Sequence, residues 1–312
     1  LFINGKWVKP LRFQEVISPI TQKVCGYVPA ANHNECNEAI KAAVKAKKKM
    51  ANMEAVERAE LLENLGAGLR ERVKPISKII TMEAGKPIEL SEHEVIRTAE
   101  TLEYAAEEAK RIEGEVLKSD AFPNMPKKVA IVIRQPVGVV LAIAPFNYPL
   151  NLAVAKIAPA IAAGNSVVCK PASDDPMCVF EFAEIAKKVG MPKGALNVVS
   201  GIGSEVGEYL INHPKIDMVS FTGSTTVGKH ISSVARFKKL HLELGGKSPA
   251  LVLEDADLGL AARESVKGAL KFSGQRCDAV SRILVEERVA DKFVKSVIKE
   301  VKKWKVGDPR KR

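Results

Sequence analysis

The sequence predicts an α/β fold: a parallel sheet with helices on both faces, followed by the start of a second α/β unit. Three observations lead there. Between Gly138 and about Leu253, short apolar runs alternate with helical segments, the pattern of successive βαβ units. The chain is 46% hydrophobic but only 5% aromatic, so Ala, Val, Ile and Leu must fill the interior, which suits close packing of helix on sheet. Its 312 residues are ample for two domains.

The elements follow in order. Residues 1–28 read as short strands and turns, opened by the Asn4-Gly5 turn signal. From Asn34 to about Lys110, apolar residues recur at three- and four-residue spacing, which predicts helices broken near Pro75 and at Gly85-Lys86-Pro87. Pro123 and Pro126 interrupt that pattern, and "KKVAIVIRQPVG" then alternates as an extended strand. In the central region, strands are expected at "VGVVLAIAP", "NSVVCKP", "ALNVVSG" and "IDMVSFTG", with helices near 150–162, 177–189 and 204–211. After Gly245-Gly246 come the strand "SPALVLE", a helix from about Ala256 to Lys271, and a loop holding Cys277. The strand "SRILVEE" and a Lys-rich helix to about Trp304 close the sequence, which contains no internal repeat.

Composition narrows the function classes. The net charge of +11 invites a nucleic-acid reading, but Lys and Glu are mixed through most helices and aromatic residues are not interleaved with the basic ones. That pattern describes a solvated surface, which can still attract an anionic cofactor or substrate. No apolar run reaches the about 18 residues of a membrane span, and the first residues do not read as a signal peptide. Position 1 is Leu, so the native start is expected upstream. The five cysteines are widely spaced, with no CxxC or Cys/His spacing, so a cytoplasmic protein without a bound metal is expected.

Four motifs carry chemistry. Cys277, in "FSGQRCDAV", follows a helix and a Gly-containing turn, where a thiol can reach a cleft and gain thiolate character from amide N–H groups or from Arg276. Alone, the other reading wins, that of a buried, inert cysteine. Glu243, in "LELGGK", ends an apolar strand beside Gly245 and Gly246, and apolar surroundings should raise its pKa toward that of a working base. Asn147, in "PFNYP", follows a strand of the parallel sheet at the carboxyl edge where ligands collect, and its amide can donate to a developing oxyanion. The competing reading is a turn Asn among prolines. Finally, "FTGSTTVG" places Gly223 and Gly228 between a strand and a helix, where backbone amides with Ser224 can bind a pyrophosphate. It is not a Walker loop, and "SGIGSEVG", with Gly201, Gly203 and Gly207, misses the usual dinucleotide spacing by one residue.

Taken in order, "APFNYP", "CKPAS", "FTGST", "LELGGK" and "GQRC" resemble the motif series of the aldehyde dehydrogenase superfamily, as does the 34-residue separation of Glu243 from Cys277. The resemblance implies a Rossmann-like cofactor domain over residues 1–245, with 115–137 as an oligomerisation-arm hairpin. Residues 246–312 would form the first part of the catalytic domain; family members continue past Arg312, so either the sequence is incomplete or the protein is a fragment that lacks part of that domain. It implies Cys277 as nucleophile, Glu243 as the base for a deacylating water, and Asn147 with the Cys277 N–H as oxyanion hole. Lys170 would bind the adenine ribose and Ser224 the pyrophosphate, in a site that also takes in Gly201, Phe221, Gly223, Gly228, Leu244 and Gly245. Ser173 stands where NAD users of the family often carry Glu, which points to NADP, with NAD possible. A homo-oligomer, dimer or tetramer, is implied as well.

Within the family, "VIRTAETLEYAAEEAKRIEGEVL", "PFNYPLNLA" and "GQRC" are most similar to the branch that oxidises glyceraldehyde 3-phosphate to 3-phosphoglycerate without phosphorylating it. That match implies Arg97, Arg276 and Tyr148 at the substrate phosphate, since two guanidiniums suit a dianion. Without the match, Arg97 reads as a surface residue paired with Glu94 or Glu100. Lactaldehyde and succinic semialdehyde are alternative substrates, and a CoA-acylating reaction is an alternative outcome. From other classes come a cysteine hydrolase using Cys277 with His241, and a cofactor-binding protein without catalysis.

Overall fold

The computed structural model describes residues 1–119, 123–124 and 126–311; the remainder of the 115–137 segment and Arg312 lie outside the described residues. The chain opens with β1 (Phe2–Ile3) and β2 (Lys6–Trp7), then an antiparallel pair, β3 (Phe13–Ile17) and β4 (Val24–Pro29). Four helices follow: α1 (His33–Ala51), α2 (Ala55–Glu71), α3 (Val73–Ala84) and α4 (Ile88–Ala109). Asn32 and Glu35 form a reciprocal capping box that starts α1. Gly85, with φ of 64°, supplies the left-handed residue that stops α3 and turns the chain toward Lys86. Strands β5 (Glu115–Lys118) and β6 (Val129–Val132) pair antiparallel as an exposed ribbon.

The central alternation gives β7 (Val139–Ile143), α5 (Pro149–Ala162), β8 (Ser166–Lys170), α6 (Met177–Lys188), β9 (Leu196–Val198), α7 (Glu208–Asn212), β10 (Met218–Thr222), α8 (Thr225–Val234) and β11 (Lys239–Glu243). These strands build one sheet in the order β11-β10-β7-β8-β9-β1-β2, parallel from β11 through β9. Every residue of β7 and β8 is buried, as expected of strands covered on both faces. Alternation divides them between two cores: Val140, Ala142 and Val167 pack with α2, α4, α5 and α6, while Val139, Leu141, Ile143 and Val168 pack with α1, α7 and α8.

The helix expected near 204–211 is not regular. Gly203–Gly207 forms a π-type turn and α7 starts only at Glu208, because glycines at both ends let the backbone widen around buried Val206. Beyond the sheet, β12 (Ser248–Val252) and β13 (Val280–Val285) pair in parallel, flanked by α9 (Leu258–Leu270) and α10 (Glu287–Val301), with Val252, Ala262 and Phe293 as a separate small core. Among the described residues, no helix is long and apolar enough to cross a membrane.

Candidate active site

In the parallel part of the sheet, chain order runs outward from β7 in both directions, through β8 to β9 on one side and through β10 to β11 on the other. A doubly wound sheet has its ligand crevice at the carboxyl ends of the strands where the order reverses. A pocket of about 490 Å³ lies there, lined by Ile143, Lys170 and Phe221 from the ends of three strands, by Gly203, Ser204 and Gly207, and by Val227 and Ile231 of α8. Its walls offer apolar faces for a flat base, with a cation at the floor.

Lys170 is that cation. It is only 4% exposed, and its Nζ donates to the Pro171 carbonyl at 3.2 Å and to Ser173 Oγ at 3.5 Å. Burial pulls its pKa down from 10.5 to about 8, partly offset by Cys169 and Asp174. A buried ammonium with neutral partners is well served by ribose hydroxyls or a phosphate. Ser173 is held in place: its Oγ donates to the Gly201 carbonyl at 2.9 Å, and Gln14 Nε2 donates to its carbonyl at 2.9 Å.

Helix α8 begins at the pocket. Ser224 is its N-cap, accepting from the Val227 N–H at 3.2 Å. The other first-turn N–H groups lack intrahelical partners and, with the positive end of the helix dipole, can seat a pyrophosphate. Gly228 serves packing: a β-carbon there would stand 2.3 Å from Leu244 Cδ2, so its absence lets α8 lie against the end of β11. Phe221 closes over Gly223 in the same manner, 2.5 Å from a β-carbon built there. Lys170, Phe221 and α8 therefore fit a dinucleotide.

The Asn147 side chain and the Gly246 backbone both reach the loop that carries Cys277. Cys277 is a free, exposed thiol. Asn147 Nδ2 donates to the Gln275 carbonyl at 2.9 Å, while its Oδ1 is buried without a partner. The "LELGGK" segment reaches the same loop, since a β-carbon on Gly246 would stand 2.8 Å from the Cys277 carbonyl. The approach to Cys277 is unusual: Phe272, Ser273 and Gly274 all have positive φ, of 52°, 54° and 72°. Two non-glycine residues there hold strain that the surrounding contacts must offset.

Glu243 requires a correction. The apolar surroundings expected for it are absent: its side chain is 65% exposed, with His241 Nε2 at 3.5 Å. Among the described residues, strand β11 is the edge of the sheet and pairs only with β10, which leaves its outer flank unpaired. His241 is partly committed elsewhere, with Nδ1 3.1 Å from Ser220 Oγ.

Tyr148 lies within electrostatic reach of both arginines singled out from the sequence. Burial raises the pKa of its phenol, while the positive charges of Arg276 and Arg97 pull it back. Glu94 does not pair with Arg97; it is fully buried and bound to Lys86. Arg276 is 11% exposed, donating to the Gly268 carbonyl at 2.5 Å and to Asp278 at 3.3 Å, with Nε buried and unpartnered.

Two lysines escaped the sequence reading. Lys156, in the apolar run of α5, is buried and donates to Thr222 Oγ1 at 2.5 Å. Burial lowers its pKa to about 8 against the charges of Cys169 and Glu243, which places it within electrostatic reach of the candidate base. The signal available was one Lys in "LNLAVAKIAPAIA". Lys86 had no signal beyond its place in a helix break.

A family model for the aldehyde dehydrogenase family matches residues 7–312, and the chain belongs to that family. It is 43% identical over 309 residues to an NADP-dependent glyceraldehyde-3-phosphate dehydrogenase of Streptococcus equinus, covering 99% of this chain and 65% of the relative. It is 40% identical to a lactaldehyde dehydrogenase of Methanococcus aeolicus, covering 99% and 66%. The fold superposes on the crystal structure of NADP-dependent glyceraldehyde-3-phosphate dehydrogenase from Bacillus halodurans C-125 complexed with NADP at a TM-score of 0.96, with 43% identity, 99% of this chain and 66% of that one. A betaine aldehyde dehydrogenase from Staphylococcus aureus in complex with NAD+ gives a TM-score of 0.94 at 34% identity, covering 99% and 63%. The chain thus spans about two thirds of the length of these relatives, 65% of the first.

Proposed function

We propose that the protein oxidises an aldehyde to a carboxylic acid through a thioester on Cys277, with NADP as preferred cofactor and NAD as an alternative. The observation that carries this reading is the meeting of Asn147, the Gly246 backbone and the Gln275–Cys277 loop at one place. Lys170 and Ser173 would hold the adenine ribose and its 2′-phosphate, and the start of α8 at Ser224 the pyrophosphate. When bound, the nicotinamide supplies the hydride acceptor.

The remaining steps belong to the chain's own residues. The Cys277 thiolate forms a C–S bond to the aldehyde carbon, and the carbonyl oxygen becomes an alkoxide. The Asn147 amide, turned from the Gln275 carbonyl, and the Cys277 N–H would stabilise that oxygen. Loss of hydride restores the C=O bond as a thioester. Glu243 takes a proton from water, the water oxygen bonds to the acyl carbon, and the C–S bond breaks to return the thiolate. Lys156 lies where its charge acts on Glu243.

For the substrate, the grouping of Arg97 and Arg276 about Tyr148 supports a phosphorylated aldehyde, glyceraldehyde 3-phosphate. The donors that Arg276 already spends on Gly268 and Asp278 favour, as second reading, an unphosphorylated hydroxyaldehyde such as lactaldehyde. Exposed Val116, Val129 and Ile131 on the β5–β6 ribbon support an arm covered by another copy of the chain. A cofactor-binding domain at 1–245 and the start of a catalytic domain at 246–312 are supported by the separate small core of Val252, Ala262 and Phe293, and a cytoplasmic setting by the free cysteines.

The test is NADP reduction by the purified full-length protein with glyceraldehyde 3-phosphate, lactaldehyde and succinic semialdehyde, with and without CoA. Cys277→Ser should abolish NADPH formation. Glu243→Gln should give one NADPH per site and then stall on the acyl-enzyme. Parent-rate turnover by both variants would sink the proposal.

A further inference from the structure

Lys86 sits at the junction of α3 and α4, outside every motif that the proposed chemistry uses, yet its ammonium touches three parts of that site. It donates to Glu94 Oε2 at 2.5 Å and to the Asn147 carbonyl at 3.0 Å. It also stands 3.5 Å from the Tyr148 ring centroid and 5.0 Å from that of Phe272. Both Lys86 and Glu94 have side-chain exposures of 0%. A buried ion pair is a poor device for stability alone, because desolvating two charges offsets much of their attraction. Its value here lies in what the pair holds.

Glu94 fixes one side. Its Oε1 accepts from the N–H groups of Leu150 and Asn151, each at 3.1 Å, so a carboxylate from α4 caps the first turn of α5. That fixes the start of the helix directly after Asn147 and Tyr148. Lys86 then grips the Asn147 peptide itself and lies over the Tyr148 ring as a cation over a π face. On the other side, it faces the ring of Phe272, the first of the left-handed residues leading to Cys277.

We propose that Lys86, with Glu94, is a positioning residue that sets the Asn147 amide against the Cys277 loop. The inference rests on the proposed function, because it takes Asn147 to be the oxyanion donor. Lys86 acts through that residue and touches no substrate. Its Nζ stands between the "PFNYP" turn and the ring of Phe272, which leads into the "GQRC" loop, and the two motifs themselves meet through the Asn147–Gln275 hydrogen bond.

The test is a double-mutant cycle in the full-length protein with Lys86→Met, Asn147→Ala and both together, measuring kcat, aldehyde KM and the Kd of NADP. Lys86→Met should lower kcat by about 100-fold, the scale of a misplaced catalytic group, and leave the Kd of NADP within about twofold, because the nucleotide pocket does not include Lys86. On the Asn147→Ala background, the same change should cost less than about threefold, the signature of two residues acting as one. Lys86→Arg keeps the charge and the Glu94 pair, so it should fold even where Met does not and recover part of kcat.

Equal losses on both backgrounds, or NADP affinity falling together with kcat, would show a merely structural lysine and overturn the inference. A Lys86→Arg protein that folds but has no more kcat than Lys86→Met would overturn it too. If Asn147→Ala alone keeps the parent rate, the oxyanion reading itself fails and takes this inference with it; impaired Asn147→Ala beside an unaffected Lys86→Met sinks only the inference.

Discussion

Replacing Ser173 by Glu would move a carboxylate to within reach of Lys170, now 3.5 Å from the serine hydroxyl. At that separation, two unit charges interact by about 5 kcal/mol at an effective dielectric near 20. Ser173 is half-buried, so solvent reduces the interaction to about 2 kcal/mol. The new carboxylate neutralises the ammonium that a 2′-phosphate would use and repels that phosphate, for a loss of about 30-fold in NADP affinity. It also accepts a hydrogen bond from a 2′-hydroxyl, which contributes about 1 kcal/mol toward NAD. The ratio of kcat/KM for NADP to that for NAD should therefore fall by about 100-fold. Steady-state kinetics with each cofactor at one saturating aldehyde concentration measure it, supported by direct titration of each nucleotide. A ratio that moves by less than about threefold would refute the placement of the ribose at Lys170 and Ser173.

Because Lys170 has a pKa of about 8, depressed by burial, NADP affinity should hold below pH 7 and weaken as pH rises through 8, where the ammonium loses its proton. Binding the phosphate raises that pKa, so log Kd plotted against pH should climb between the free and bound values; a flat profile from pH 7 to 10 would exclude the lysine from the site. Arg97→Leu should raise the KM for glyceraldehyde 3-phosphate by about tenfold or more while leaving lactaldehyde kinetics unchanged; equal effects on both would remove Arg97 from phosphate binding. Leu65→Ala, fully buried among α2, α4 and α5, should cost about 2–5 kcal/mol in denaturant unfolding without changing nucleotide affinity.

The strand–helix alternation of residues 138–253 made the sheet legible, because strands buried on both faces must be written as short apolar runs. The candidates Cys277, Asn147 and Lys170 could be singled out for another reason: each lies in a short motif next to a regular element. What a linear pattern does not carry is the neighbour across space. The run "KLHLE" is compatible with a central or an edge strand, and only the pairing of β11 with β10 alone shows Glu243 to be open. Lys86 meets Asn147 across 61 positions and Lys156 meets Thr222 across 66, and neither pair leaves a local trace. The π-type turn at Gly203 was hidden because a widened turn has the same apolar spacing as the beginning of a helix.

Gly228 has a wider meaning than close packing. The helix whose start would anchor the nucleotide's phosphates lies directly on Leu244, and the next residue back along the chain is Glu243, the proposed base. Gly223 N–H also donates to the Glu243 carbonyl at 3.1 Å, so the candidate phosphate loop and the candidate base share a backbone bond. A displacement of α8 would therefore press on the backbone that carries Glu243. In the proposed reaction, the carboxylate assigned to hydrolysis would thereby be tied to the loop assigned to the coenzyme's phosphates by one side-chain contact and one amide.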